Sequence, residues 1–170
     1  MDVLKTAAEL MAVSARTAPK AGGQDYVEIK VIGEDKIEKL AQEMIDYGKE
    51  SNKGNFDRDG ENVRKSNQVI LLSLSEADVL GLNCGACGYD NCNELELKTG
   101  PEFDGPVCAW RLMDLGIAMG SAVKTASILN VDNRIMYRIG VAAKRLNLID
   151  GEIVVGIPIS ASGKSIYFDR

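Results

Sequence analysis

Histidine is absent from this 170-residue chain, and aromatic residues make up only 5% of it. Without imidazole the chain cannot use a Ser-His or Cys-His catalytic mechanism, nor a metal site with histidine ligands. The scarcity of aromatic rings offers no stacking platform for single-stranded nucleic acid. The net charge of −5, from 25 acidic and 20 basic residues, also disfavours nucleic acid and anionic membranes as partners.

A hydrophobic run long enough to cross a membrane is also missing from the sequence. The longest nearly apolar segment, residues 106–123, is interrupted by Arg111 and Asp114. The N-terminus has neither the basic region nor the apolar core of a signal peptide. Four cysteines without a secretory signal indicate the cytoplasm, where such clusters are more often metal sites than disulfides.

Hydrophobic periodicity predicts one α+β domain over residues 1–170, a mixed sheet with helices packed on it. We expect helices at residues 3–17, 35–48, 109–129 and 133–146, and strands at residues 26–32, 68–74, 152–159 and 165–168. Asp35 is expected to cap the second helix and Gly48 to end it, and Pro158 is expected to end the third strand. Residues 49–66 are polar and predict a loop or an exposed short helix. The continuous apolar run at 68–74 predicts a central strand.

The helix at residues 109–129 is apolar on almost all sides. A helix with so little polar surface is usually a buried one, and we expect burial here. Gly116 and Gly120 lie on one of its faces, where they would let another backbone or a cofactor come close. Tight packing in the core is the simpler interpretation of this pair.

All four cysteines lie within 25 residues and have the spacing C-x2-C-x4-C-x15-C: Cys84, Cys87, Cys92 and Cys108. Four thiolates at one point can hold tetrahedral zinc or an iron–sulfur cluster, and closely spaced pairs can also form redox disulfides. Structural zinc more often uses two C-x2-C pairs, whereas this chain has one. Glycine follows each of the first two cysteines and suits a loop wrapped around a cluster, because glycine reaches positive φ at little cost. The residues thus favour iron–sulfur and leave zinc and disulfides open.

The segment C-G-A-C-G-Y-D-N-C, with a fourth cysteine fifteen residues later, resembles a known module. It is similar to the four-iron ferredoxin-type domain of anaerobic electron-transfer complexes and corrinoid proteins. The resemblance implies a [4Fe–4S] cluster with one ligand from each of the four cysteines. It places the cluster-binding segment at residues 80–112.

The rest of the chain resembles the nitroreductase family of flavin enzymes. The similarity rests on the turn at residues 18–26, the segments 54–56 and 62–65 before the central strand, and the strand at 153–158. It implies an α+β fold around an antiparallel sheet, with FMN bound at a dimer interface and Asn62 and Lys164 as flavin contacts.

Three features depart from the nitroreductase pattern. The arginine-rich opening that grips the FMN phosphate has no counterpart, Lys20 stands where the family has serine, and Gly23 stands where it has asparagine. A flavin-free fold that carries a cluster therefore stays open beside an FMN protein. Together the two resemblances suggest the uncharacterised ferredoxin-domain proteins of anaerobes.

Three hypotheses follow for function. In the first, a [4Fe–4S] protein of anaerobic metabolism passes single electrons to a redox partner protein or a small-molecule acceptor. In the second, the same cluster feeds FMN in a nitroreductase-like oxidoreductase, so that the chain is an enzyme. In the third, the cysteines hold a structural zinc ion. A homodimer is expected from the nitroreductase resemblance, and nucleic acid and membranes are not expected as partners.

Overall fold

A computed structural model describes residues 2–168 of the chain and confirms the α+β fold. The elements in chain order are α1 (Val3–Thr17), β1 (Val27–Ile32), α2 (Glu34–Ser51), α3 (Phe56–Arg64), β2 (Gln68–Leu74), β3 (Lys98–Thr99), β4 (Asp104–Gly105), α4 (Ala109–Ile128), β5 (Asp132–Asn133), α5 (Tyr137–Arg145) and β6 (Ile153–Ser160). Within the described residues, none of the helices combines the length and the apolar character that a membrane span requires.

A four-stranded antiparallel sheet in the order β1-β2-β6-β5 forms the middle of the fold. The central position predicted for β2 is confirmed: all seven of its residues are buried, and it pairs with β1 on one side and β6 on the other. A strand covered on both faces reads as a continuous apolar run, as this one does. The prediction that Pro158 ends β6 is wrong, because Ile159 and Ser160 continue the strand and pair with β5.

Helices cover both faces of the sheet, which gives three layers. Alternate residues of β2 point to opposite faces. Val69 and Leu71 pack with α2, α3 and α5, whereas Ile70, Leu72 and Leu74 pack with α1 and α4. Burial of apolar side chains on both faces supplies the main stabilisation of such a fold.

The start and the end of α2 differ from the prediction. The N-cap is Gly33 rather than Asp35, and the helix continues past Gly48 to Ser51. Gly48 remains helical and serves packing, because a Cβ there would lie 2.5 Å from the Cβ of Phe56. The helix ends instead where Asn52 adopts the left-handed conformation, with φ of 54°.

Residues 49–66 are not the exposed segment that their polarity predicts. They contain α3, whose inner face buries Phe56, Asp59, Gly60 and Val63. Asp59 is fully buried, and its two carboxylate oxygens lie 2.8 Å from nitrogens of Arg58 and Arg138. A charged residue can thus be part of the interior because it is paired with its neighbour on α3 and with an arginine from the later helix α5.

The expectation that α4 is buried on all sides is wrong. The helix packs on α1 and the sheet through one stripe: Arg111, Asp114, Leu115, Ala118, Ala122 and Ala126. Its other side is exposed and includes Leu112, Met113 and Ile117. No described atom outside the helix lies within 4 Å of a Cβ built on Gly116 or Gly120. Neither glycine therefore serves tight packing within the described chain.

The last helix and the C-terminal segment also differ from the prediction. The expected helix from residue 133 begins at Tyr137, because residues 132–133 pair with β6 as β5. Residues 165–168 form no strand. Side chains hold this segment instead: Ile166 N–H donates to Asp132 Oδ2 at 3.2 Å, and the Tyr167 and Ser66 hydroxyls lie 2.9 Å apart.

Candidate metal centre

The four cysteines lie on the segment that connects the central strand β2 to α4, residues 75–108. This segment contains only a short 3-10 turn, Cys92–Glu94, and the two-residue strands β3 and β4. Within it Cys108 alone is buried. The segment therefore lies on the surface of the α+β scaffold, and its last residue joins the scaffold at the start of α4.

All four cysteines line one cavity. The cavity is narrow, and no disulfide joins the cysteines. Cys84 is exposed, Cys87 and Cys92 are half-buried, and Cys108 is 7% exposed. The backbone carbonyl of Cys108 accepts the first hydrogen bond of α4, from Leu112 N–H at 3.0 Å. The rigid scaffold thus fixes one thiol, and a loop brings the other three to it.

Positive φ angles allow the loop to fold back around the cavity. Gly85 and Gly88, the two glycines singled out by the sequence, have φ of 69° and 89°, and Gly88 N–H donates to the Gly85 carbonyl at 2.9 Å. Asn83, just before Cys84, also adopts the left-handed conformation, with φ of 48°. These conformations suit glycine and asparagine, and they turn the chain between successive cysteines.

Several N–H groups donate hydrogen bonds to the sulfur atoms. The backbone N–H of Asn83 lies 3.3 Å from Cys92 Sγ, and the indole N–H of Trp110 lies 3.3 Å from Cys84 Sγ. The Ala86 backbone N–H, and after it the Trp110 indole, lowers the pKa of the Cys84 thiol below its ordinary value. Donors of this kind favour the thiolate, which is the form that binds metals.

The positions of the thiol and carboxylate side chains show which set of ligands the chain offers to a metal ion or cluster. In the described part of the chain, no three cysteine, aspartate or glutamate side chains are placed to hold a single metal ion. The four thiols nevertheless share one cavity. A zinc ion needs four sulfur atoms at about 2.3 Å from one point, whereas the ligands of an iron–sulfur cluster bind different iron atoms and lie further apart. Four thiols around one cavity are the donor set of an iron–sulfur cluster, so the residues present fit such a group.

A buried arginine on α4 ties the cysteine segment to the scaffold. Arg111 is fully buried: its Nε donates to the Asp78 carbonyl at 3.0 Å, and its Nη1 donates to the Ala21 carbonyl at 2.8 Å. It also donates to Gln24 Oε1 and lies over the ring of Tyr26. Sequence reasoning treated Arg111 only as an interruption of an apolar run. A charged residue inside an apolar helix was the available signal, because burial of such a residue requires partners.

The two predicted flavin contacts lie away from the cysteine cavity. Asn62 is half-buried on α3, where its carbonyl accepts from the Ser66 hydroxyl at 3.0 Å, and Lys164 is exposed on the loop after β6. Neither is among the residues that line the cysteine cavity. Lys20, which replaces a family serine, caps α1: its ammonium donates to the carbonyls of Ala15 and Arg16 at 3.0 and 2.6 Å. The ammonium group of Lys20 therefore makes its hydrogen bonds to the protein's own backbone.

Comparisons with known proteins agree with both sequence resemblances. A family model described as an uncharacterised protein containing a ferredoxin domain matches residues 104–170, which include Cys108. An uncharacterised protein of Archaeoglobus fulgidus is 48% identical over 169 residues, covering 98% of this chain and 91% of that protein.

Solved structures of nitroreductases share the fold at low sequence identity. Nitroreductase CinD from Lactococcus lactis, in complex with nicotinic acid, superposes with a TM-score of 0.60 at 16% identity, over 97% of this chain and 84% of that chain. The FMN-dependent nitroreductase NfnB from Mycobacterium smegmatis, in complex with NADPH, gives 0.61 at 11% identity, over 94% and 78%. The chain belongs to the family of uncharacterised proteins that contain a ferredoxin domain, and it has a nitroreductase-like fold.

Proposed function

We propose that the chain binds one [4Fe–4S] cluster through Cys84, Cys87, Cys92 and Cys108 and transfers single electrons. The family description and the fold both suggest a redox function. The observation that carries the proposal is that all four cysteines line one cavity. A bound cluster would supply a one-electron redox couple. The segment at residues 80–112 is the cluster-binding part of the domain in this proposal.

The residues around the cavity have separate roles. Cys108 is buried at the start of α4 and anchors the ligand set to the scaffold. Cys84 is exposed and accepts the hydrogen bond of Trp110, itself 37% exposed. An acceptor that approaches this edge reaches a ligand residue directly. Val79 and Leu80 also line the cavity and give its wall an apolar part.

A flavin-dependent oxidoreductase fed by the cluster is the second candidate, and the nitroreductase-like fold favours it. Asn62 and Lys164 stay predictions as its FMN contacts. The expectations of anaerobic metabolism, a cytoplasmic location and a homodimer stay predictions as well. A structural zinc ion stays open as the third hypothesis, because four thiols around one cavity are also the donor set of tetrahedral zinc.

Anaerobic reductive titration of the purified protein tests the proposal. We expect a broad absorption near ~400 nm that bleaches with one electron per chain, and a paramagnetic signal that grows in parallel. Uptake of three electrons per chain, with flavin bands beside the cluster absorption, would favour the second candidate, because the flavin takes two electrons and the cluster one. A colourless protein that takes up no electrons would contradict both.

A further inference from the structure

The negative charge of the chain is concentrated in the cysteine segment. Residues 75–108 contain seven acidic residues and one lysine, a net charge of −6, whereas the whole chain carries −5. The other 136 residues together therefore carry a net charge of +1. The net negative charge therefore lies in the segment that carries the candidate metal centre and is not spread over the whole chain.

Two of the seven carboxylates are neutralised by the scaffold. Glu102 forms an ion pair with Lys53 at 2.7 Å, and Asp104 forms one with Lys144. The other five are exposed, and no described lysine or arginine forms an ion pair with them: Glu76, Asp78, Asp90, Glu94 and Glu96. The uncompensated charge is thus on the part of the segment next to Cys92.

A second, open cavity of about 930 Å³, including space open to solvent, adjoins the first at Cys92. Cys92 lines both cavities, and the second is also lined by Glu76, Asp78 and two leucines, of which Leu97 is 53% exposed. Leu82, on the wall of the first cavity, is 57% exposed. Apolar side chains beside a ligand cysteine, with carboxylates around them, have the composition of an interface with an apolar centre and a polar rim.

We propose that these residues form a docking face for an electron-transfer protein whose own surface is basic. The face consists of Glu76, Asp78, Leu82, Asp90, Cys92, Glu94, Glu96 and Leu97. Opposite charges steer such a partner to this face, which contains Cys92, and raise the rate of association. A second copy of this chain does not fit the same face, because two segments of −6 charge repel each other. The assignment rests on the proposed electron-transfer function.

The test uses cytochrome c as a basic redox probe and the cluster-loaded protein. Binding is measured by calorimetry with both proteins oxidised, at about 20 and about 200 mM ionic strength, which span strong and weak charge screening. The rate of electron transfer from the reduced protein is then followed by stopped flow. Iron and sulfide are assayed on each sample, so that a sample without a cluster refutes the proposed function without deciding the docking result.

Two triple variants with the same change in charge separate a local effect from a global one. The docking variant is Asp90→Asn/Glu94→Gln/Glu96→Gln. The control is Glu9→Gln/Asp35→Asn/Asp57→Asn, whose three carboxylates are exposed on α1, α2 and α3. We expect the docking variant to weaken cytochrome binding by about tenfold at low salt and the control to weaken it less than about twofold.

The same experiment has outcomes that overturn the proposal. Equal weakening by both triple variants would mean that net charge alone attracts the cytochrome. Binding that does not change with salt, or no binding at low salt, would also refute the docking face. Methyl viologen, a small dication, is titrated in parallel. If it binds as tightly as the cytochrome, the face recognises small cations rather than a protein surface.

Discussion

The scaffold and the cysteine segment obtain their order in different ways. The scaffold buries apolar side chains on both faces of a four-stranded sheet. The segment at 75–108 buries only Cys108 and contains little regular structure. Burial stabilises the first region, whereas hydrogen bonds, the Arg111 anchor and, in our proposal, metal ligation stabilise the second. Changes in one region should therefore leave the other largely intact.

Removal of one cysteine is the strongest test of this separation. We expect Cys87→Ala to lose the cluster, with iron and sulfide falling more than about tenfold, because three thiolates leave one iron without its ligand. The scaffold should remain folded, with far-UV circular dichroism close to that of the parent chain. Global unfolding of the variant would show that the metal site holds the whole domain together.

Gly140→Ala should damage the scaffold and leave the ligand set unchanged. A Cβ at Gly140 on α5 would lie 1.7 Å from the carbonyl oxygen of Val154, so the helix would have to move away from β6. We expect a loss of roughly 3 kcal/mol or more in the free energy of unfolding, measured with denaturant. Gly116→Ala is the matched control on α4, where a Cβ meets no described atom within 4 Å. It should be neutral or stabilise the helix by up to about 1 kcal/mol. Equal losses in both variants would contradict the packing described.

Tyr167 gives the scaffold a dependence on alkaline pH. Burial raises the pKa of Tyr167 to about 12 from the ordinary value of 10.0, although the hydrogen bond with the Ser66 hydroxyl opposes the shift. The folded state therefore holds this proton more tightly than the unfolded state. The corresponding stability is fully present below about pH 10 and is lost as the pH rises toward 12.

Urea unfolding between pH 9 and 12 measures this contribution. The free energy of unfolding of the parent chain should fall over that pH range, and Tyr167→Phe should make this fall smaller by roughly 1–3 kcal/mol. Tyr137→Phe, at a side chain that is 42% exposed, serves as the control. An identical pH dependence in the parent chain and in Tyr167→Phe would refute the buried phenol as its source.

The smallest effect is expected at the edge where the two regions meet. Trp110→Phe keeps an aromatic ring in the first turn of α4 but removes the N–H that donates to Cys84 Sγ. Because this donor stabilises negative charge on sulfur, its loss should lower the reduction potential by tens of millivolts, roughly. Anaerobic potentiometry of the loaded variant measures the shift. An unchanged potential with full iron content would mean that the indole does not act on the bound group.

The sequence predicted best the features that show as a periodic pattern or as a cluster of one residue type along the chain. The apolar run of β2 indicated a central strand, because a strand covered on both faces needs apolar side chains throughout. The close spacing of the four cysteines indicated a shared site, and the structure places all four around one cavity. The φ angles of Gly85 and Gly88 agree with the reason given for glycine at these positions.

The features that sequence reasoning missed depend on contacts between distant segments. Gly48 resembles a helix end, and only the packing of Phe56 against it explains why α2 continues. Asp59 looks solvated until α5 supplies Arg138. The apolar composition of α4 suggests burial, but whether a neighbour covers its outer side depends on the tertiary arrangement.

The metal and flavin content of anaerobically purified protein is the most direct test of the central claim. Iron, acid-labile sulfide, zinc and flavin would be determined on one sample whose protein concentration comes from amino-acid analysis. The account predicts about four irons and four sulfides per chain, with little zinc. One zinc per chain and no sulfide would contradict it.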